Sequence, residues 1–177
     1  MRARDIVIEI VGDFSRTVIV GNGGSGKSWL AERLAATLSL PSVDLDEIHW
    51  LPGGFNARRE PAIAVEMVRA KAAGNLWVIE GVYGWLAAVA LPRATAFVWL
   101  DLPVEDCVAN VGARGLRRGG DAQAFEALLQ FVADYDVRTN ANSRSAHAQA
   151  FAGFAGFKTR LTSRAGISSL LSTAITR

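Results

Sequence analysis

A glycine-rich segment near the N-terminus has the residue types and the spacing of a phosphate-binding loop. Its sequence over residues 21–28, Gly-Asn-Gly-Gly-Ser-Gly-Lys-Ser, fits the pattern G-x-x-x-x-G-K-[ST]. The glycines allow backbone N–H groups to converge on phosphate oxygens at the positive end of a helix. Lys27 would reach the β- and γ-phosphates, and the Ser28 hydroxyl would hold Mg²⁺. The predicted nucleotide-binding residues are Gly21, Gly23, Gly24, Ser25, Gly26, Lys27, Ser28 and Trp29.

Two carboxylates follow a second short apolar segment. Asp44 and Asp46 are spaced i, i+2, so both side chains would lie on one face if the segment is extended. In phosphoryl transfer a carboxylate at this place can orient or deprotonate an acceptor hydroxyl, or hold Mg²⁺ through water. The alternative for Asp46 is a structural one, an N-cap of the segment that begins at Glu47.

Arginines are concentrated in a glycine-containing segment at about residues 112–122. Arg114, Arg117 and Arg118 lie within five residues of one another. They predict a mobile lid that closes over the phosphates during transfer. The alternative is a charge run that only meets solvent. Arg138, at the end of a predicted helix, is a further candidate that could equally face the helix C-terminal dipole.

The elements that must position these residues alternate between strand and helix. Apolar, β-branched runs predict strands at 17–20, 42–45, 76–79, 94–100 and 157–161. Amphipathic spacing predicts helices at 27–38 and 61–74, after Pro103, after Asp121, and at 166–174. This alternation predicts an α/β fold of three layers, α/β/α, with a mainly parallel five-stranded sheet and a ligand at the carboxyl ends of its strands. The run at 6–11 adds an expected N-terminal hairpin strand.

Composition limits the class of protein. A length of 177 residues without internal repeats predicts a single domain over 1–177. One cysteine, Cys107, cannot form an internal disulfide, which favours a reducing, cytoplasmic location. The longest uncharged stretch in the middle, 81–92, is too short to span a membrane. After Asp136 the chain has six basic residues and no acidic one, but without dense basic clusters nucleic acid is an unlikely partner.

Other nucleotide-binding classes lack their signatures here. The sequence has no Asn-Lys-x-Asp segment, which a GTPase uses to recognise guanine, and no Leu-Ser-Gly-Gly segment of a transporter ATPase. The apolar run before Asp101 is followed by Leu-Pro and not by the Glu of a motor-type ATPase. Small-molecule kinases remain, and their size suits this length.

The order of the motifs resembles that of small P-loop kinases related to adenylate kinase, particularly the topology-modulation or adenylate-kinase-like proteins. The resemblance runs from about Thr17 to Leu171. Besides the phosphate-binding loop it rests on Leu-Asp-Glu-Ile-His-Trp at 45–50, Trp-Val-Ile-Glu-Gly-Val-Tyr at 77–83 and Phe-Val-Trp-Leu-Asp-Leu-Pro at 97–103. It implies a kinase that uses ATP and Mg²⁺ to phosphorylate a nucleoside monophosphate or a small hydroxyl metabolite. The residues it implies in transfer are Lys27, Asp46, Arg114 and Arg118.

Two positions depart from the family's usual pattern. Glu80 stands where these kinases have Asp, and Trp29 stands where they have a Thr whose hydroxyl contacts the α-phosphate. The departures keep open an alternative function, a nucleotide-binding regulatory or nucleic-acid-associated protein with weak or no ATPase activity. Either protein would be a monomer or a homodimer.

Overall fold

The computed structural model describes residues 12–53, 57–115 and 121–175. Within these ranges strands and helices alternate along the chain. The strands are β1 (Arg16–Gly21), β2 (Ser42–Asp44), β3 (Trp77–Gly81), β4 (Ala96–Leu100) and β5 (Phe157–Leu161). The helices are α1 (Lys27–Leu38), α2 (Leu45–His49), α3 (Pro61–Ala72), α4 (Gly84–Ala90), α5 (Val104–Arg114), α6 (Ala122–Ala133), α7 (Arg144–Gly153) and α8 (Arg164–Ile175). Short 3₁₀-helices, Leu91–Arg93 and Asp134–Asp136, follow α4 and α6.

The five strands form one sheet in the order β2-β3-β1-β4-β5, and every neighbouring pair is parallel. The α/β fold predicted from the sequence is confirmed. The chain leaves β1 for β2 and β3 on one side and then crosses to β4 on the other, so the strand order reverses at β1. Ligands of open α/β sheets bind at the carboxyl ends of the strands beside such a reversal. The hairpin strand expected at 6–11 lies outside the described residues.

The sheet is buried on both faces. Ile19 of β1 packs into a core formed with α1, α5, α6 and α8, whereas Val18 and Val20 pack into a second core formed with α2, α3, α4 and α7. Because both faces are covered, the strands read as continuous apolar runs and not as alternating ones. Trp77 and Trp99, predicted within strands, are only 1% and 4% exposed. Each large apolar side chain buried in this way stabilises the fold by about 1.5–3 kcal/mol.

Two helices, α4 and α7, have no counterpart in the sequence pattern. The residues of α4 are all small or apolar, so no polar face marks a helical period. In α7 the buried inward position is His147, which does not read as a core residue. The ends of α7 are set by side chains: Ser143 Oγ accepts from the Ala146 N–H at 3.1 Å, and Lys158 Nζ donates to carbonyl oxygens of the last turn. In the described ranges, every helix is too short or too polar to cross a membrane.

A buried carboxylate joins β4, β5 and α7. The Asp101 side chain is fully buried directly after β4. Arg144 Nε donates to its Oδ1 at 2.8 Å, and Arg160 Nε donates to its Oδ2 at 2.8 Å. The Arg160 guanidinium also lies over the Trp99 ring, 4.8 Å from its centroid. A desolvated carboxylate depends on such partners, because burial of an unpaired charge is costly.

We therefore expect Asp101→Asn to lower the free energy of unfolding by about 2–3 kcal/mol, because it leaves two guanidinium groups without their shared anion. Urea denaturation would measure this loss. The matched control is Asp136→Asn, since Asp136 lies 3.5 Å from Arg144 but is half exposed. It should change stability by less than about 1 kcal/mol. Equal losses in the two variants would contradict the structural role of Asp101.

A second group of buried polar side chains is linked by hydrogen bonds. The Trp99 indole N–H donates to the Tyr135 hydroxyl at 3.2 Å, and that hydroxyl lies 2.7 Å from His147 Nδ1. His147 Nε2 lies 3.1 Å from the carbonyl oxygen of Val82, which can only accept, so Nε2 carries the proton. Burial, assisted by the charge of Lys27, lowers the pKa of His147 to about 4.

Because this pKa lies below the ordinary 6.5 of histidine, the unfolded chain takes up the proton first as the pH falls. Stability contributed by neutral His147 is present above pH 6.5 and is lost as the pH falls towards about 4, by up to about 3 kcal/mol. Denaturant midpoints of the natural protein and His147→Gln between pH 7 and pH 4 test this. The variant should lack this part of the pH dependence; parallel curves would contradict it.

Candidate active site

The glycine-rich loop connects the central strand β1 to α1, as the motif requires. Gly26 caps α1 with φ +94, and Gly24 has φ +77. A Cβ built on Gly24 would lie 2.4 Å from the carbonyl oxygen of Cys107 in α5. Only glycine combines this backbone conformation with so close an approach. The predicted strand–loop–helix context of the motif is confirmed.

Two asparagines brace this loop. Asn22 Nδ2 donates to the carbonyl oxygen of Val132 in α6 at 2.8 Å, and its Oδ1 accepts from the Gly23 N–H at 2.8 Å. Asn110 of α5 donates from Nδ2 to the carbonyl oxygen of Gly24 at 2.9 Å. Sequence reasoning does not find either residue, because Asn22 occupies a variable position of the motif and Asn110 has no motif at all.

A cavity of about 970 Å³ opens above the loop. The predicted loop residues that line it are Gly23, Gly24, Gly26, Lys27, Ser28 and Trp29. Gly21, whose Cβ would meet the carbonyl oxygen of Leu100 at 2.4 Å, and buried Ser25 are not among the lining residues. Lys27 Nζ donates to the carbonyl oxygen of Asn22 at 2.7 Å, so its ammonium group is held across the loop. The arrangement presents a cation, a hydroxyl and backbone donors to one space, which suits a polyphosphate.

The carboxylates meet at the same edge of the sheet, but not as expected. Asp44 ends β2 and is the N-cap of α2: its Oδ1 accepts from the Asp46 N–H at 2.7 Å. The expectation of an extended Asp44/Asp46 pair is therefore wrong, because the chain turns into a helix at Leu45. The capping role belongs to Asp44, which leaves Asp46 in the first turn, and both residues line the cavity.

Glu80 lies one strand further in. It pairs in register with Asp44 and is 3% exposed. Burial raises the pKa of Glu80 to about 7, although the charge of Lys27 opposes this. A carboxyl group with a pKa near 7 is partly protonated at neutral pH, so it can be buried here without the full free-energy cost of burying a charge.

The oxygen atoms around Ser28 suit Mg²⁺, which prefers hard oxygen ligands. Ser28, Asp44, Asp46 and Glu80 all line the cavity. Among the described residues no cluster of three or more His, Cys, Asp or Glu could hold a metal ion without other ligands. Mg²⁺ in nucleotide sites is bound largely by phosphate and water, with one or two protein oxygens. The residues present therefore fit Mg²⁺ bound together with a nucleotide.

One wall of the cavity is aromatic, a feature the sequence reasoning missed. We call His49, Trp50, Tyr83 and Trp85 the aromatic wall; all four line the cavity. The rings of His49 and Tyr83 stack with centroids 4.1 Å apart and an interplanar angle of 27°. Trp50 and Trp85 each meet the His49 ring edge to face. The signal was present in the segments 45–50 and 77–83, but only the fold brings these segments together.

One arginine of the predicted lid borders the cavity. Arg114, the last residue of α5, lines it as the lid hypothesis requires. Arg117 and Arg118 lie outside the described residues. The predicted lid segment 112–122 is helical at both ends, since α5 reaches Arg114 and α6 starts at Ala122.

Two further arginines contact aromatic residues that line the cavity. Arg58 was not expected from the sequence, and Arg138 was only a further candidate there. Arg58 lines the cavity 5.7 Å from the centroid of the Trp50 ring. The Arg138 guanidinium stacks 3.8 Å from the centroid of Phe131, which also lines the cavity. All three Arg138 nitrogens are buried and have no hydrogen-bond partner in the described part of the chain, so Arg138 does not cap a helix.

Trp29, where related kinases have Thr, keeps its indole at the rim of the cavity. The side chain is 43% exposed, and the Arg33 guanidinium lies 4.3 Å from its ring centroid. Position 29 in the first turn of α1 thus lacks the hydroxyl that the resemblance leads one to expect, while Lys27 and Ser28 directly before Trp29 are in place.

A strand–loop–helix phosphate site at the reversal point of a parallel sheet defines a P-loop nucleotide-binding protein. No protein-family model matches the chain. Shikimate kinase from Corynebacterium glutamicum is 30% identical over 148 residues, which are 71% of this chain and 88% of that protein. The chain belongs to the shikimate kinase family, and it is an ATP-dependent small-molecule kinase.

Solved structures agree on the fold. Shikimate kinase from Acinetobacter baumannii in complex with shikimate aligns over 88% of each chain, with a TM-score of 0.57 and 17% identity. A gluconokinase from Sinorhizobium meliloti 1021 aligns over 92% of this chain and 90% of its own, with a TM-score of 0.52 and 15% identity. The predicted relationship to adenylate kinase holds at the coarser level of the superfamily. The prediction of a kinase is confirmed.

We expect Lys27→Ala to weaken ATP binding at least tenfold or to abolish transfer, because the ammonium charge is removed from beside the β- and γ-phosphates. Isothermal titration with ATP and a non-hydrolysable analogue measures the binding. Lys71→Ala, which removes an ammonium charge on α3, is the control. Unchanged ATP affinity and turnover in Lys27→Ala would refute the assignment of the loop.

Proposed function

We propose that the phosphoryl acceptor is a small hydroxy acid, a compound that carries both a carboxylate and a reactive hydroxyl group. The relatives support this class, because shikimate and gluconate, which their names contain, are both polyhydroxy carboxylates. A nucleoside monophosphate, the other acceptor that the sequence left open, also carries an anion, so the two must be separated by experiment.

The observation that carries the proposal is the guanidinium group of Arg58, which lines the cavity and has no carboxylate partner among the described residues. Arg58 faces the cavity next to Trp50, and Arg138 lies against Phe131. The neighbouring Arg59 is already engaged, since its Nε donates to the carbonyl oxygen of Ile48 at 2.8 Å. Guanidinium groups bind carboxylates in a planar, bidentate manner, and an anionic acceptor would supply the missing partner.

The proposed roles divide the cavity into two ends. At the loop end, Lys27 contacts the β- and γ-phosphates of ATP, Ser28 is a ligand of Mg²⁺, and the backbone of residues 23–28 surrounds the phosphates. Mg²⁺, when bound, neutralises charge that develops on the phosphate oxygens. At the acceptor end, Arg58 binds the carboxylate. Arg114 and Arg118 contact the transferring group from the lid.

Asp46 lies between these ends and is the proposed base. It accepts the proton of the acceptor hydroxyl as that oxygen forms its bond to the γ-phosphorus. The bond from the γ-phosphorus to the bridging oxygen breaks, and ADP leaves with the electron pair. The role is consistent with the geometry because Asp44, and not Asp46, is used to cap α2.

Expectations about the number of domains, the location in the cell and the assembly of the protein belong to the same proposal. The sheet that runs from Arg16 to Leu161 supports a single domain over residues 1–177. The thiol of Cys107, free and buried, supports a cytoplasmic location. We further propose that the protein is a monomer or homodimer and has no nucleic-acid partner. Within the superfamily of adenylate kinase, the segments 45–50 and 77–83 support a relationship to the topology-modulation proteins.

The proposal is tested by ADP release with shikimate, D-gluconate and D-glycerate, with methyl shikimate and glycerol as neutral counterparts, and with AMP and CMP. We expect turnover with at least one acid and little with its neutral counterpart. Arg58→Ala should raise the KM for that acid about 10- to 100-fold, the value of one lost charged hydrogen bond, while the KM for ATP stays unchanged.

The matched control is Arg69→Ala, because Arg69 is an exposed residue of α3 that pairs with Glu66. It should leave both KM values unchanged. Equal use of neutral and acidic acceptors, preferred use of AMP or CMP, or an unaltered KM in Arg58→Ala would overturn the hydroxy-acid proposal.

A further inference from the structure

One peptide group of the phosphate-binding loop is held by a side chain from outside the loop. Asn110 of α5 donates from Nδ2 to the carbonyl oxygen of Gly24 at 2.9 Å, and Arg164, the first residue of α8, donates to Asn110 Oδ1. A backbone carbonyl oxygen can only accept and a guanidinium group can only donate, so both partners require the same orientation of the Asn110 amide group. The loop, α5 and α8 therefore meet at one side chain.

The direction of this carbonyl group determines where the next N–H group points. The peptide group between Gly24 and Ser25 is trans, so its C=O and N–H bonds are antiparallel. Because the Gly24 carbonyl oxygen points to α5, the Ser25 N–H points away from α5, into the loop. Its nitrogen lies 3.3 Å from the carbonyl oxygen of Asn22, longer than the roughly 2.7–3.2 Å of an ordinary hydrogen bond. That oxygen already accepts from Lys27 Nζ at 2.7 Å, so the Ser25 N–H can donate to a phosphate oxygen beside the ammonium group.

Glycine at position 24 makes this orientation easy to lose. Gly24 has φ +77 and lines the cavity, and glycine has the widest choice of backbone conformations. Rotation of the peptide group would bring the carbonyl oxygen to the inner side of the loop and take the N–H away from it. A carbonyl oxygen carries partial negative charge and would repel the phosphate oxygens that converging N–H groups attract. The loop therefore needs a partner that holds this carbonyl group outward.

Helix α5 can supply that partner because it packs directly on the loop. A Cβ on Gly24 would lie 2.4 Å from the carbonyl oxygen of Cys107 and 2.9 Å from Cγ2 of Val111. Asn110, which is partly buried, lies between these two residues along the helix. Packing fixes the place of Gly24, and the directional hydrogen bond from Asn110 fixes the direction of its carbonyl group.

We propose that Asn110, oriented by Arg164, is a positioning residue of the nucleotide site that holds the peptide group after Gly24 with its N–H towards the phosphates of ATP. The inference rests on the proposed contact between the phosphates and the backbone of residues 23–28, and it does not depend on the acceptor. Asn110 itself touches no phosphate. Its contribution appears in the affinity for the triphosphate chain.

Isothermal titration with ATP and with inorganic tripolyphosphate, each with Mg²⁺, measures this contribution in Asn110→Ala, Arg164→Ala, their double variant and Lys27→Ala. Asn110→Ala should weaken both ligands by the same factor, about tenfold, the value of one hydrogen bond to a charged group. Arg164→Ala should weaken them about threefold in the natural protein. In the Asn110→Ala background it should weaken them less than about 1.5-fold, because residues that act through one another are not additive.

Two further measurements separate positioning from a general loss of structure. Asn110→Asp keeps the size of the side chain and an acceptor for Arg164 but cannot donate to the Gly24 carbonyl oxygen. It should melt at the temperature of the natural protein and bind tripolyphosphate no better than Asn110→Ala. In the free protein, the amide NMR resonance of Ser25 should shift or broaden in Asn110→Ala, since its peptide group is no longer held.

Gln130 of α6 supplies the matched control. Its Nε2 donates to Asp134 Oδ1 at 2.7 Å on the exposed side of the helix, so Gln130→Ala removes an amide hydrogen bond that does not involve the loop. This variant should leave both affinities and the Ser25 resonance unchanged.

The outcomes separate this inference from the proposed function. If Lys27→Ala keeps the natural affinity for ATP and tripolyphosphate, the loop does not bind the phosphates, and the proposed contacts fail together with the inference. If Lys27→Ala loses affinity while Asn110→Ala or Asn110→Asp keeps it, only the inference is overturned. A loss for ATP without a loss for tripolyphosphate would overturn it as well, and additive effects of Asn110→Ala and Arg164→Ala would overturn the part of Arg164.

Discussion

The phosphate-binding loop must leave its backbone N–H groups free for a ligand while its other side is packed tightly against two helices. The close approach of Gly24 to the Cys107 carbonyl satisfies the packing requirement. The two asparagine side chains donate to the carbonyl oxygens of Val132 and Gly24, and Asn22 also accepts the Gly23 N–H, so the N–H groups of the residues after Gly23 are not used by these asparagines. Because Asn22 donates to the α6 backbone and Asn110 belongs to α5, the helices on either side of residues 116–120 also support the loop.

Electrostatics at the same edge of the sheet depend on this packing. Lys27 is the cation within the loop, and it faces a group of carboxylates at the ends of β2 and β3. The group is tolerated because its members differ: Asp44 caps a helix, Glu80 has a pKa near neutrality, and Asp46 is only partly buried. Asp101 is buried at the end of β4 but is compensated by two arginines, so it does not add to the charge of the cavity. A polyphosphate with its cation would enter a site whose own charges are largely balanced.

The departures from related kinases take their meaning from this arrangement. Glu80 is longer by one methylene than the usual Asp, and it lines the cavity from an almost fully buried position. Trp29 places an exposed indole where a hydroxyl is expected, yet the backbone of the loop and the start of α1 keep the geometry of a phosphate site. The fold and the loop of a kinase are therefore kept although position 29 has no hydroxyl group. The motifs did not predict that one side of the cavity is formed by the aromatic wall and Arg58, although His49, Trp50 and Tyr83 lie within them.

The sequence by itself determined the parallel α/β fold, the bounds of α1 and β5, and the phosphate-binding loop. These depend on local periodicity, β-branched runs and glycines whose spacing has a direct geometric meaning. Tertiary structure alone decided that Asp44 caps α2, that α4 and α7 are helices, and that His49, Trp50, Tyr83 and Trp85 form one wall. For the helix α7 and the aromatic wall the physical reason is sequence distance, because a buried histidine or a stacked ring acts through a partner that the chain brings near only after the sheet has formed. The cap is local, but the apolar run at 42–45 is equally compatible with a longer strand, and only packing against β3 decides that the chain turns into α2 at Leu45.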